Sequence, residues 1–280
     1  GVRIAWEAYG EGAPTIVLLP SAPIVHSRQW KGQIPYLSRY WRTVVYDGRG
    51  NGLSDRPTSS EAYDDDRFVQ DIVTVLDASG TGRAVLVGLC TDGVWRSIRL
   101  AAEQPDRVLG IVAFAPGVPR LGPSQPHYLE FIPRFDDVAE SYDGWAKLNR
   151  HYWRRDYRGW IEFFFGQMIP EPHSSKALED AIDWGLDVSL ESILAENDGS
   201  FPFSPAEVEA TCRKVGCPMV IVHGGEDRCQ SPARGQSLSE LTGAPLLVVD
   251  GVGHMIPARH PVLANLLIRD FVRSLPEAQP

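Results

Sequence analysis

The chain has 280 residues, 43% hydrophobic and 22% charged, with a formal net charge of −9. That length can bury one large core, or a core with a sizeable insertion, and the composition is ordinary for a globular domain. The acidic balance argues against nucleic acid and anionic membrane surfaces, which call for a basic patch, and no apolar run approaches the roughly 20 residues that cross a bilayer.

Gly1 opens directly into strand-like sequence with no signal-peptide pattern, and a start without Met fits a piece cut from a longer protein fused to other domains. Arg3–Tyr9 alternates, which predicts a half-exposed edge strand. Thr15–Leu19, Thr43–Tyr46, Ala84–Val87, Leu109–Ala115, Met219–Val222 and Leu246–Val249 are almost wholly apolar, as strands of a parallel sheet covered on both faces should be. Helical periodicity lies between several of them. Asp66–Asp77 carries Phe68, Ile72 and Leu76 on one face, and Pro261–Leu275 carries Leu263, Leu266, Leu267 and Phe271 behind a proline at its first position. The alternation predicts an α/β fold, a mostly parallel twisted sheet with helices on both faces.

Between strand Ala84–Val87 and a helix predicted to begin near Val94 runs Gly88-Leu89-Cys90-Thr91-Asp92-Gly93. A tight strand-to-helix turn pushes residue 90 above the end of the sheet, beside the first free N–H groups of the helix. Those donors and the helix dipole favour negative charge, which lowers a thiol pKa and makes a better nucleophile.

The alternation breaks between about 121 and 214, a stretch dense in aromatics such as Tyr128, Phe135, Trp145, Trp153, Trp160 and Trp184. We read 122–213 as a helical cap inserted into a core domain made of 1–121 and 214–280. Most of its aromatics should be cap core, with a minority, including Trp153 and Trp160, lining a substrate pocket. His26, just past the loop Leu19–Pro23, is a further candidate pocket residue. His127, His151 and His173 show no metal-ligand spacing.

Strand Met219–Val222 leads into His223-Gly224-Gly225-Glu226-Asp227, a carboxylate at the carboxyl end of a strand. Strand Leu246–Val249 leads into Asp250-Gly251-Val252-Gly253-His254, an imidazole on a Gly-rich loop. The chain order nucleophile, acid, base fits one known solution to triad geometry. His254 is the expected base and Asp227 the group that holds its tautomer, with Glu226 the fallback for the acid. His223, ending a buried strand, reads as structural, and His260 as an exposed helix-start residue. The four cysteines, Cys90, Cys212, Cys217 and Cys229, are too few for a disulfide scaffold, and Cys212-x4-Cys217 lacks zinc-site spacing. They read as thiols in a reducing cytoplasm, the last three as buried or tolerated small residues. No metal and no cofactor is expected.

The residues quoted so far, with Asp47-Gly48-Arg49-Gly50-Asn51-Gly52-Leu53-Ser54, resemble the α/β-hydrolase fold superfamily, in particular its capped esterase, epoxide-hydrolase and haloperoxidase-like branch. The segment 47–54 looks like that branch's D-x-R-G-x-G-x-S loop, 224–232 its acid loop and 251–257 its histidine loop. Asp47 and Arg49 would order their loop. The resemblance leaves only the cap without a match, and it has three departures. Cys90 stands where the family has Ser, or Asp in epoxide hydrolases and dehalogenases, which resembles the rarer cysteine variant typified by dienelactone hydrolase. Asp92 stands where the family needs Gly, and its carboxylate is expected to cap the helix; tuning Cys90 or touching substrate are its other readings. The usual His-Gly pair is replaced by Leu19-Pro20-Ser21-Ala22-Pro23, so the resemblance implies an oxyanion hole of the Thr91 N–H plus that of Ala22, since neither proline has one.

Sulfur narrows the chemistry. A thiolate is more nucleophilic than a hydroxyl but also a better leaving group, so attack on an unactivated ester or amide reverts. The expected activity is hydrolysis of an activated acyl bond (ester, thioester or lactone) in a small, apolar or aromatic substrate, through an acyl-enzyme on Cys90. The alternatives are an acyltransferase or cyclase using the same triad, and a ligand-binding sensor domain of a larger protein. A Ser-to-Cys replacement engineered to trap an intermediate would carry the same sequence.

Overall fold

The computed structural model describes residues 1–173 and 175–276; Ser174 of the expected cap and 277–280 of the expected core domain lie outside them. Seven strands form one sheet: β1 (Trp6–Tyr9), β2 (Thr15–Leu18), β3 (Thr43–Tyr46), β4 (Ala84–Leu89), β5 (Val108–Phe114), β6 (Met219–Gly224) and β7 (Leu246–Val249). Their order is β1-β3-β2-β4-β5-β6-β7, and every pairing is parallel except β1 with β3. The helices are α1 (Ile34–Leu37), α2 (Asp65–Ala78), α3 (Cys90–Glu103), α4 (Pro126–Phe131), α5 (Arg150–Arg155), α6 (Tyr157–Met168), α7 (Lys176–Leu186), α8 (Leu190–Asn197), α9 (Pro205–Arg213), α10 (Pro232–Thr242), α11 (Ile256–Arg259) and α12 (Pro261–Ser274). None is long and apolar enough to cross a membrane.

The central strands are apolar on both sides because both sides are covered. Along β2, Ile16 and Leu18 enter one core layer, together with cap residues, while Val17 and Leu19 enter the layer on the opposite face. That is the period-two alternation of a strand, here buried either way. α3 is clamped to α2 by Arg99, whose guanidinium lies 2.7 Å from Asp65 and from Asp66, while the Trp95 indole donates to Asp65 at 3.0 Å.

Three expectations change. β7 is an edge strand with Leu247 and Val248 exposed, so its apolar run does not mean cover on both faces. The expected insertion, 122–213, includes α9, which packs on α3 and α10 and buries Val208 and Cys212 in the core layer opposite the cap. A capping box between Ser204 and Glu207 starts α9. Finally, α3 begins at Cys90 itself rather than near Val94.

Candidate active site

The turn at the end of β4 is built by two glycines and one strained residue. A Cβ on Gly88 would meet the Gly93 backbone at 2.4 Å, so the strand and the incoming helix approach as closely as bare backbone allows. Cys90 sits between them at φ +61°, in the left-handed region that costs an L residue energy, and such strain is characteristic of functional positions. The close approach thus falls at Gly93, which leaves position 92 free for a side chain. Asp92 does not cap the helix: its carboxylate pairs with Arg96 at 2.9 Å. Burial, with the negative charge of Cys90 adding to it, raises the Asp92 carboxyl to about 6 against the pull of Arg96.

The Cys90 side chain is 7% exposed and His254 is 0% exposed. Cys90, Cys229 and His254 bring one sulfur or nitrogen atom each to within 4.8 Å of the others. His254 Nδ1 donates to Asp227 Oδ2 at 2.7 Å, which leaves Nε2 as the atom facing the thiols. Among the described residues that Nε2 has no conventional hydrogen-bond partner, and the group it interacts with is the Cys90 sulfur. Asp227 is in turn held by its own loop, Oδ1 accepting from the amides of Cys229 at 2.7 Å and Gln230 at 2.8 Å. The histidine loop is tied to the end of α6, with the His254 amide donating to Met168 O at 3.1 Å and the Gly253 amide to Glu171 at 2.9 Å. These bonds fasten His254 to the end of α6 and the residues just after it.

The electrostatics follow from these contacts, against the effect of burial. The Cys229 thiol, donating to the Cys90 sulfur, and the positive charge of His254 hold Cys90 well below the usual thiol range, although burial opposes them. Burial would lower His254, but the charges of Asp227 and Cys90 outweigh it and push the imidazole up to about 10. Burial would raise Asp227, yet His254 and His223 hold its carboxyl below the ordinary range. The consistent state is a thiolate beside an imidazolium.

Of the predicted residues, Cys90, Asp227 and His254 therefore converge. Thr91 lies in the first turn of α3, its amide bonding the Cys90 sulfur and its hydroxyl donating to Gly117 O at 3.0 Å. Ala22 lies on the loop after β2, bridged to Val25, and lines a small cavity with Pro20, Asp92 and Arg96. His26 caps the turn Ser27–Trp30 and meets the Trp184 ring at 5.9 Å. The recess it lines is walled by Trp6, Arg28, Arg56 and Asp187, and the triad is not among its walls. Trp153 and Trp160 are stacked at 5.2 Å inside the apolar layer that also contains Cys90. Asp47 accepts from the amides of Ser27 and Leu53, both at 2.9 Å, and Arg49 grips Asp71 with two bonds of 2.7 Å.

Two residues read as bland are at the centre. Cys229 is a direct neighbour of Cys90, with Tyr128 Oη 3.2 Å from its sulfur. His223 Nε2 lies 3.2 Å from Asp227 Oδ2 and 3.1 Å from Gln230 O, so it touches the acid rather than merely filling the strand end. A signal for Cys229 does exist in the sequence. An Asp side chain readily accepts from the amide two residues on, and that turn brings Cys229 back under Asp227.

The family model described as alpha/beta hydrolase fold matches residues 14–261. A non-heme chloroperoxidase of Streptomyces lividans is 25% identical over 281 residues, covering 98% of this chain and 97% of that protein. A bifunctional esterase/perhydrolase of Acinetobacter calcoaceticus is 25% identical over 280 residues, covering 98% and 97%. The crystal structure of a bromoperoxidase from Bacillus anthracis superposes with a TM-score of 0.79 at 22% identity, covering 98% of this chain and 96% of that one.

Proposed function

Because the chain belongs to the alpha/beta hydrolase fold family and is a hydrolase, we propose that it cleaves an activated acyl bond through a thioester on Cys90. The observation that carries this reading is the Cys90–His254–Asp227 alignment, with the thiol pKa driven down and the imidazole driven up in one buried cluster.

The thiolate of Cys90 attacks the substrate carbonyl carbon, forming the C–S bond and a tetrahedral oxyanion. The amides of Thr91 and Ala22 receive that oxygen. Collapse breaks the bond to the leaving group, which takes the Nε2 proton of His254. Water then gives its proton back to His254 as it attacks the thioester, and the sulfur departs as thiolate. Asp227 holds the ring so that Nε2 faces the reaction throughout. Sulfur leaves more readily than an alkoxide, so productive substrates have good leaving groups: aryl or enol esters, lactones and thioesters. The aromatic interior around Trp153 and Trp160 favours an apolar or aromatic acyl group, and the name of the Acinetobacter relative, esterase/perhydrolase, points to the same bond class.

A panel of aryl esters, lactones and acyl thioesters, read by turnover and intact mass, tests this. Turnover that is lost in Cys90→Ala, with an acyl adduct on Cys90 in the wild type, is the expected result. Turnover that survives Cys90→Ala would overturn it. Added amine or alcohol, read by product partitioning, separates hydrolysis from acyl transfer.

A further inference from the structure

We propose that Cys90, Cys229 and His254 form a binding site for a single thiophilic dication of the Zn²⁺ type, and that its occupancy holds the enzyme in an off state. The three ligand atoms lie within 4.8 Å of one another and all three side chains are buried. A tetrahedral zinc ion with two sulfurs near 2.3 Å and one nitrogen near 2.0 Å needs donor separations of roughly 3.5 to 3.8 Å, which small side-chain adjustments reach. His254 Nε2 is buried with no conventional hydrogen-bond partner among the described residues and faces the Cys90 sulfur, and the ring is already oriented by Asp227 on Nδ1 at 2.7 Å, the carboxylate–histidine arrangement that supports metal-bound imidazoles. Tyr128 Oη, 3.2 Å from the Cys229 sulfur, and Gln230 Nε2, 4.0 Å from the Cys90 sulfur, supply donors to the thiolates.

Charge favours the same occupant. Two thiolates and a neutral imidazole cancel a dication, so the filled set is as neutral as the thiolate–imidazolium pair it replaces, with the Asp227 carboxylate bonded to the ring in both states. Binding must release the protons those ligands hold, two per ion: the Cys229 proton and the one shared by Cys90 and His254. The ion takes the sulfur lone pair that would attack the carbonyl and the nitrogen that would move the proton, and it leaves the fourth position open. The site rests on this geometry and not on the acyl-enzyme reading. Cys90-dependent turnover with no bound equivalent keeps that reading and removes this one.

The test uses the full chain, reduced with a phosphine and washed with chelator, then titrated with zinc chloride against a chromophoric chelator. One equivalent bound, two protons released, and an affinity weakened more than about 100-fold by Cys229→Ala are expected, since loss of a ligand should exceed the 10–100-fold typical of an outer partner. Cobalt(II) in the unmutated protein should show a thiolate-to-metal absorption band in the near ultraviolet, a readout that needs no variant to fold. Absence of that band, affinity unchanged in folded Cys229→Ala, or loss of two titratable thiols without bound metal would overturn the site.

Discussion

Asp227 Oδ2 lies 2.7 Å from His254 Nδ1, and neither side chain has any exposed surface. A carboxylate in such a place is held by what it accepts: two amides on one oxygen and two imidazoles on the other. Asp227→Asn keeps the shape but offers an N–H where Nδ1 needs an acceptor, which turns the ring to the wrong tautomer. By analogy with serine-protease triads, kcat should fall by a factor on the order of 10⁴. Steady-state kinetics on an aryl ester checks this, and a loss below tenfold would remove Asp227 from the role.

The pH profile follows from the same cluster. As pH falls through the lowered Cys90 pKa, the thiolate is protonated and activity is lost. As pH rises through about 10, His254 gives up the proton its leaving group needs, and activity is lost again. The kcat/KM profile should therefore be a plateau across neutral pH with an alkaline limb near 10. In Cys90→Ser the negative neighbour is gone and the imidazole pKa drops. Histidine must then be neutral to act as base, so the residual activity should rise with pH through the neutral range.

Cys229 should be a positioning residue for Cys90. Its thiol is the largest influence lowering the Cys90 pKa, so Cys229→Ala should shift the pH dependence of Cys90 alkylation to higher pH. Cys229→Ser keeps a donor and should restore much of the shift. Iodoacetamide labelling followed by mass spectrometry reads both, and identical profiles for wild type and Cys229→Ala would count against the role.

The left-handed backbone at Cys90 costs stability that glycine would not lose. Elsewhere in a helix Ala outperforms Gly by up to about 1 kcal/mol. At φ +61° the order should invert, with Cys90→Gly more stable than Cys90→Ala by about 1 kcal/mol. Urea unfolding of the two variants measures the difference, and a more stable Ala variant would contradict it.

The Arg49–Asp71 pair, both side chains more than nine-tenths buried, anchors the 47–54 loop to α2. Arg49→Met leaves the Asp71 carboxyl buried without its main partner, which should cost about 3–5 kcal/mol in urea unfolding. The double variant Arg49→Met/Asp71→Leu should recover much of that loss, because no lone charge is then buried.

The sequence by itself determined the sheet, the nucleophile turn and the identity of the candidate triad. Apolar runs of strand length, glycines at 88 and 93 around Cys90, and a carboxylate and an imidazole just past strand ends are local patterns, and local sterics and hydrophobicity act on them directly. The edges were harder to read. Leu246–Val249 is as apolar as an interior strand, and only the sheet order shows that β7 has no neighbour beyond it. α9 lies in an aromatic-rich stretch by sequence, but its Val208 and Cys212 are drawn to the layer below α3 because the chain has already turned back toward β6. Tertiary structure alone decided what surrounds the sulfur. Residues 90, 229 and 254 are far apart in the chain, and their meeting depends on parallel strands ending at one level and on the Asp227 loop folding back on its own amides. No pattern in a linear chain measures the distance between two thiols. Convergence does the rest, since burial alone would keep the thiol and the imidazole neutral, and the donors and charges gathered around Cys90 and His254 are what favour the thiolate–imidazolium pair.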